Sequence, residues 1–185
     1  MYVRRTVSSP AGPLTLVSDG RALQAVLFHC PRHVPPCFAQ SIPEGERLPL
    51  LDEAAAWLTA YFAGRRPDPA SIPLDPQGTP FQRQVWQLLS EIPYGRAAAY
   101  GALARELAHR QGREAMSAQA VGTAVGHNPL AIFLPCHRVV AAHDLGGFSG
   151  GAECKRLLLR HEGVLDETDG TIQAAKWMNN SLKSV

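Results

Sequence analysis

Apolar and polar residues change their rhythm along this chain. From residue 2 to 28 the apolar positions fall in three short runs, 2–7, 14–17 and 23–28, the last setting Leu23, Ala25 and Leu27 against Gln24 and Val26. Runs of this length, separated by turn clusters at 8–13 and 19–21, predict a three-stranded β-meander. Residues 31–49 are rich in proline and polar side chains and read as a loop. At 50–63 the period lengthens, with Leu51, Ala54, Ala55, Leu58, Tyr61 and Phe62 at helical spacing, Asp52 and Glu53 near the N-terminus and Gly64 as a stop. Residues 65–78 carry four prolines and little periodicity, which predicts an interdomain linker.

The second half is helical in pattern. Thr79 can cap a helix whose first turn holds Pro80, and Phe81, Val85, Trp86, Leu88 and Leu89 form one stripe that ends before Pro93-Tyr94-Gly95. Residues 100–109 predict a second short helix. A third, at 117–125, is rich in Ala and Gly and has almost no bulk. Two short helices joined by a turn have the outline of a helix-turn-helix, an outline shared with helical hairpins that bind nothing. The apolar run 131–134 predicts a buried strand, broken at Pro135 before Val139-Val140. A glycine-rich loop, 146–151, leads into a last helix at 152–161 closed by Gly163. Residues 165–185 read as a loose polar tail.

Composition narrows the class. With 185 residues, 45% of them apolar and only 18% charged, the chain fits one compact domain or two small ones. No apolar run approaches the ~18 residues of a membrane span, and the opening MYVRRTVSSP lacks the apolar core of a signal peptide, so an intracellular, cytoplasmic protein with no membrane partner is expected. The formal charge of +2 neither requires nor excludes a polyanionic partner. It is unevenly placed, however. Residues 79–163 hold nine basic against six acidic side chains, while residues 1–78 balance at seven each. Cys30, Cys37, Cys136 and Cys154 form no CxxC pair, so reduced thiols are expected.

Cys136 is the sharpest chemical candidate. His137 and Arg138 follow it, and such neighbours predict an electropositive setting that favours thiolate, the reactive form. In an extended strand Cys136 and His137 would face opposite sides, so they cooperate only if the Pro135 turn bends the chain or a water bridges them. An imidazole that takes a proton needs an orienting acceptor, and Glu162 is the best-placed carboxylate in sequence, although a glutamate ending a helix is more often solvated. Asn128 reads first as a turn residue and second as an active-site hinge. The loop 146–151 lacks the Lys-Ser/Thr of a P-loop and the spacing of GxGxxG. His29, Cys30, His33 and Cys37 are ligand types at a spacing that matches no common zinc pattern, so no metal site and no cofactor are expected.

Taken together, Gly78-Thr79-Pro80-Phe81-Gln82, Val85-Trp86, Ile92-Pro93-Tyr94-Gly95, Tyr100-Gly101-Ala102-Leu103-Ala104, Ala120-Val121-Gly122, Asn128-Pro129, Pro135-Cys136-His137-Arg138-Val139 and His161-Glu162-Gly163 resemble the methylated-DNA–protein-cysteine methyltransferases, also called O6-alkylguanine-DNA alkyltransferases. The collinear motifs cover about half the chain. The resemblance implies an α+β fold: a small N-terminal α/β, ribonuclease H-like domain of a β-meander plus helix and linker in residues 1–75, a mostly helical DNA-binding and alkyl-acceptor domain with a helix-turn-helix in 76–164, and a tail in 165–185.

It also implies roles. Cys136 is the acceptor nucleophile, His137 the base acting through a water, Glu162 the group orienting His137, and Asn128 the hinge. Tyr100 crowds a DNA phosphate and helps rotate the damaged nucleotide out of the duplex. The third helix, with Ser117, Ala118, Gln119, Ala120 and Gly122, enters the minor groove, where small residues suit a narrow space. Backbone groups at Val139 and Ser149, with Phe148, form the base pocket. The implied partner is double-stranded DNA carrying O6-alkylguanine, met by a monomer.

Two positions depart from the family's pattern. Gln119 stands where an arginine usually enters the base stack, which leaves Arg113 in the preceding, longer turn as a substitute, and Phe148 stands where a tyrosine is common. Two other readings were weighed against this one. A non-catalytic recogniser of alkylated bases is opposed by Cys136, because such relatives carry tryptophan there. A cysteine hydrolase using Cys136, His137 and Asn128 is opposed by the adjacency of nucleophile and base.

Overall fold

The computed structural model describes residues 2–28, 42–44, 48–141, 144–166 and 172. Three strands, β1 (Val3–Val7), β2 (Leu14–Ser18) and β3 (Leu23–Phe28), form an antiparallel meander in the order β1-β2-β3, with an irregularity between Val17 and Ser18. Helix α1 (Pro49–Phe62) lays Leu51, Ala54, Leu58 and Tyr61 against it, the stripe read from the sequence. The exposed β1 edge is tied locally, with Arg4 bridging Glu44 and Arg5 paired with Asp52.

The segment after α1 is not a free linker. Its prolines form a short 3-10 turn at Pro69–Ser71, Ile72 is buried, and Leu74 bridges Leu23 of β3 through hydrogen bonds from Leu23 N to Pro73 O (2.8 Å) and from Asp75 N to Leu23 O (3.0 Å). Proline suppresses periodicity but does not prevent a segment from pairing on a sheet edge.

Helix α2 (Pro80–Ser90) opens on a full capping box. Thr79 Oγ1 accepts from Gln82 N, and Gln82 Oε1 accepts from Thr79 N (2.8 Å). Its buried face of Val85, Trp86, Leu88 and Leu89 packs with α3 (Tyr100–Arg110) and α4 (Ala118–Gly126), and Trp86 Nε1 donates to Ala124 O at 2.8 Å. A parallel pair that the sequence did not announce, β4 (Ala98–Ala99) with β5 (Val139–Val140), joins the start of α3 to the chain beyond Cys136. Helix α5 (Ala152–His161) closes the fold. One apolar core runs through both halves, from Leu14 and Leu16 through Trp57 to Val121, Phe133 and Leu158.

The expected strand at 131–134 is absent. Leu130 bridges Val26, with Val26 N donating to Pro129 O (2.8 Å) and Ala131 N to Val26 O (3.2 Å). The chain then turns, Ile132 taking a φ of 73°. All four apolar side chains are buried in the turn, and a short buried run carries no period that separates turn from strand. The tail begins packed, since Val164 and Leu165 are buried and Leu165 bridges Ile172. The loop and cysteine-histidine cluster at 29–41 lie outside the described residues. Among the described residues no helix is long and apolar enough to cross a membrane.

Candidate active site

The turn from Asn128 to Leu134 delivers Cys136. Asn128 Oδ1 accepts from Leu130 N (3.0 Å) and its Nδ2 donates to Leu134 O (2.7 Å), so one buried amide ties both ends of the turn. Asn128 is thus the turn residue the sequence suggested first, and the turn it ties leads directly into Cys136. Cys136–Arg138 then form a 3-10 turn, the bend the sequence required. Cys136 is 4% exposed and His137 fully buried.

The electrostatics differ from expectation. Burial pushes the Cys136 thiol up, opposed by a hydrogen bond with Asn128 and the nearby Lys155 ammonium. Arg138 does not serve the thiol. Its Nε and Nη2 form a two-pronged pair with Glu162 at 2.7 and 2.9 Å, and Nη1 donates to Ile92 O. Adjacency in sequence thus overstated the positive field at sulfur.

Glu162 caps the end of α5 and is buried, against the usual fate of a terminal glutamate. Besides Arg138 it accepts from His137 Nε2 (2.8 Å), Tyr61 Oη (2.7 Å) and Gly95 N (3.4 Å). Burial opposes its charge, but His137 and Arg138 outweigh that and hold the carboxyl well below its usual range. An ionised Glu162 makes His137 Nε2 the donor and leaves Nδ1 as a lone pair. Burial pushes the imidazole down, against the pull of Glu162, and so favours the uncharged ring. Nδ1 is buried and has no hydrogen-bond partner, an acceptor left open beside the thiol turn.

Between α4 and the glycine loop lies a cavity of about 700 Å³, lined by Tyr100, Gln119, Gly122, Phe148 and Ser149 among others. Burial above all pushes the Tyr100 phenol up to about 12, so the phenol stays protonated. The glycine loop closes on Tyr100: a Cβ at Gly146, whose φ is +69°, would lie 2.9 Å from Tyr100 Cε2. Of the expected DNA-facing residues, Tyr100, Ala118, Gln119 and Gly122 line the cavity. Ser117 instead caps α4 by accepting from Ala120 N, Ala120 is exposed, and Arg113 stands exposed in the α3–α4 turn with its N–H on Ala108 O. Phe148 and Ser149 line the wall. Val139 does not, being fully buried with its carbonyl held by Lys155 Nζ at 2.6 Å.

Two residues escaped the sequence reading. Lys155 is a fully buried lysine on α5 whose Nζ joins Val139 O to Gly147 O (3.2 Å), stapling the chain after Cys136 to the glycine loop, and burial pulls it down to about 8. Its place in a polar-looking helix gave no signal. Tyr61 was read as core, and its stripe was right, but the hydroxyl's partner lies 101 residues away. Among the described residues no group of three His, Cys, Asp or Glu is placed to hold a metal ion.

With the geometry in place, similarity to known proteins becomes informative. Residues 2–76 match the family model of the 6-O-methylguanine DNA methyltransferase ribonuclease-like domain, and residues 80–164 match the model of that family's DNA binding domain. The chain belongs to the 6-O-methylguanine DNA methyltransferase family. As a member it is a methyltransferase of that class. Methylated-DNA–protein-cysteine methyltransferases of Haemophilus influenzae and Mycobacterium bovis are 37% and 40% identical to it, covering 84% and 85% of this chain and 83% and 90% of their own. A crystal structure of Mycobacterium tuberculosis OGT in complex with DNA superposes with a TM-score of 0.72 at 38% identity, covering 86% of this chain and 91% of that one. The family membership and the α+β fold read from the sequence are both borne out.

Proposed function

We propose that the chain repairs double-stranded DNA directly, moving the alkyl group of O6-alkylguanine, and of O4-alkylthymine, onto Cys136 in a single irreversible turnover. The carrying observation is the chain of contacts from Arg138 and Tyr61 through Glu162 to His137, which holds the imidazole with Nδ1 unpartnered in the same short turn as Cys136. His137 Nδ1 takes the Cys136 proton, relayed by one water, and Glu162 holds the imidazole as it charges. The sulfur attacks the alkyl carbon in line, a C–S bond forms, and the C–O pair returns to O6. The proton taken from sulfur goes back to guanine within the site. The thioether has no leaving path, so the protein stays alkylated.

Reaching the sulfur requires the base to leave the duplex, at a cost of a few kcal/mol. The open cavity beside Tyr100 and Phe148 has the place and lining for it, and the phenol of Tyr100, kept protonated, is suited to meet a phosphate as the nucleotide rotates. Helix α4 presents Ala118, Gln119, Ala120 and Gly122 with no charged side chain, a face narrow enough for a minor groove. In this reading the protein is a cytoplasmic monomer acting without cofactor, and the groups it uses all come from one chain. Residues 76–164 carry the chemistry, and residues 1–75 brace it. A recogniser that transfers nothing is the alternative, and the buried thiol with its base speaks against it.

The test is labelled transfer. Excess duplex carrying O6-[³H]methylguanine should load about one equivalent of label per chain and then stop, with Cys136→Ala taking up none. Sustained turnover would point to a hydrolase, and binding without label to the recogniser.

A further inference from the structure

The wall of the cavity is not built by the C-terminal half alone. Phe28 ends β3, and its ring meets that of Phe148 edge-on, with centroids 5.4 Å apart and planes at 67°. Phe148 in turn faces the His137 ring, at 6.4 Å and 78°. The three rings make a row from the meander to the catalytic imidazole, and the middle one lines the cavity. The row is tight: a Cβ at Gly150 would lie 2.8 Å from Phe28 Cδ2 and 3.0 Å from Phe148 Cε1. Phe148 carries no hydroxyl, so packing sets the place of its ring. Phe28 supplies that packing from the end of β3.

We propose that Phe28 is a specificity-determining residue, backing Phe148 so that the depth of the cavity, and with it the largest O6-alkyl group brought to Cys136, is set from the N-terminal sheet. The inference rests on the alkyl-transfer reading above and names what that reading leaves open, the size of group accepted. A smaller side chain at 28 leaves room for Phe148 to withdraw toward the sheet, which deepens the pocket for a bulky group and loosens it around a methyl.

The experiment compares single-turnover transfer from duplexes carrying O6-methylguanine or O6-benzylguanine in the full chain, in Phe28→Leu and in Phe28→Ala. The benzyl-to-methyl rate ratio should rise by about fivefold or more in Phe28→Ala and by less in Phe28→Leu. The ratio is independent of the folded fraction, and the leucine variant keeps the test alive if the alanine variant does not fold. An unchanged ratio, with both rates falling together, would mean that Phe28 only stabilises the fold and would overturn the inference while leaving alkyl transfer intact. A native chain that transfers neither group would overturn the alkyl-transfer reading itself.

Discussion

Glu162 and Gln119 stand for two regions built in opposite ways. Around Glu162 contacts are dense: Arg138 grips it with two nitrogens, and His137, Tyr61 and Gly95 add one hydrogen bond each to a buried carboxylate. Gln119 lies on the exposed first turn of α4, a helix of small residues without a charge, and its carbonyl accepts only a local hydrogen bond from Thr123. Under the proposed function, the difference follows from what each region would do. Proton transfer needs one tautomer held in one place, which calls for a surplus of hydrogen bonds. Entry into a groove needs a slim face and modest charge, so that a lesion can be sought without tight binding elsewhere.

Breaking the dense region should cost most. Glu162→Gln removes the charge that fixes the His137 tautomer and strands the Arg138 guanidinium, so single-turnover transfer should fall by about a hundredfold or more. The same variant should lose on the order of 3 kcal/mol in urea unfolding, because an unpaired buried charge remains. Normal transfer by this variant would show that the imidazole is oriented by something else. Tyr61→Phe is gentler. It keeps the ring stacked on Trp57 at 5.6 Å and removes one donor to the carboxylate, so transfer per folded molecule should drop by about tenfold with duplex affinity unchanged. A parallel loss of DNA affinity would place Tyr61 in the framework and not in the positioning of Glu162.

The bare region should respond less and in the other direction. Gln119→Arg adds a cation to α4 and should tighten binding to duplex DNA by a few-fold, with a steeper dependence on salt. No change in affinity or repair rate would move attention to Arg113, which stands exposed in the turn before α4.

The same contrast explains what could be read in the sequence. The meander, the capped α2, the small-faced α4 and the thiol with its histidine all rest on local signals: turn residues, a Thr79–Gln82 box, helical spacing and neighbours along the chain. Glu162 at the end of the last helix was legible because helix ends are, and its hydrogen bond to His137 is the contact the sequence pointed to. The rest depends on groups distant in sequence. The 131–134 run shows burial but not the turn that Asn128 and the edge of β3 impose on it. Arg138 looked like a partner for sulfur until α5 brought it a carboxylate. Tyr61 and Lys155 display only an apolar stripe and a polar helix, and their polar ends find partners through the tertiary fold alone.

Under the proposed function Cys136 is the acceptor, buried and held as a thiol until His137 draws its proton. Peptide mapping by mass spectrometry after incubation with an O6-methylguanine duplex tests this most directly. The account predicts a single added methyl group on the peptide holding Cys136, with the half-buried Cys154 unmodified. A methyl on Cys154, or restored guanine with no modified peptide, would contradict it.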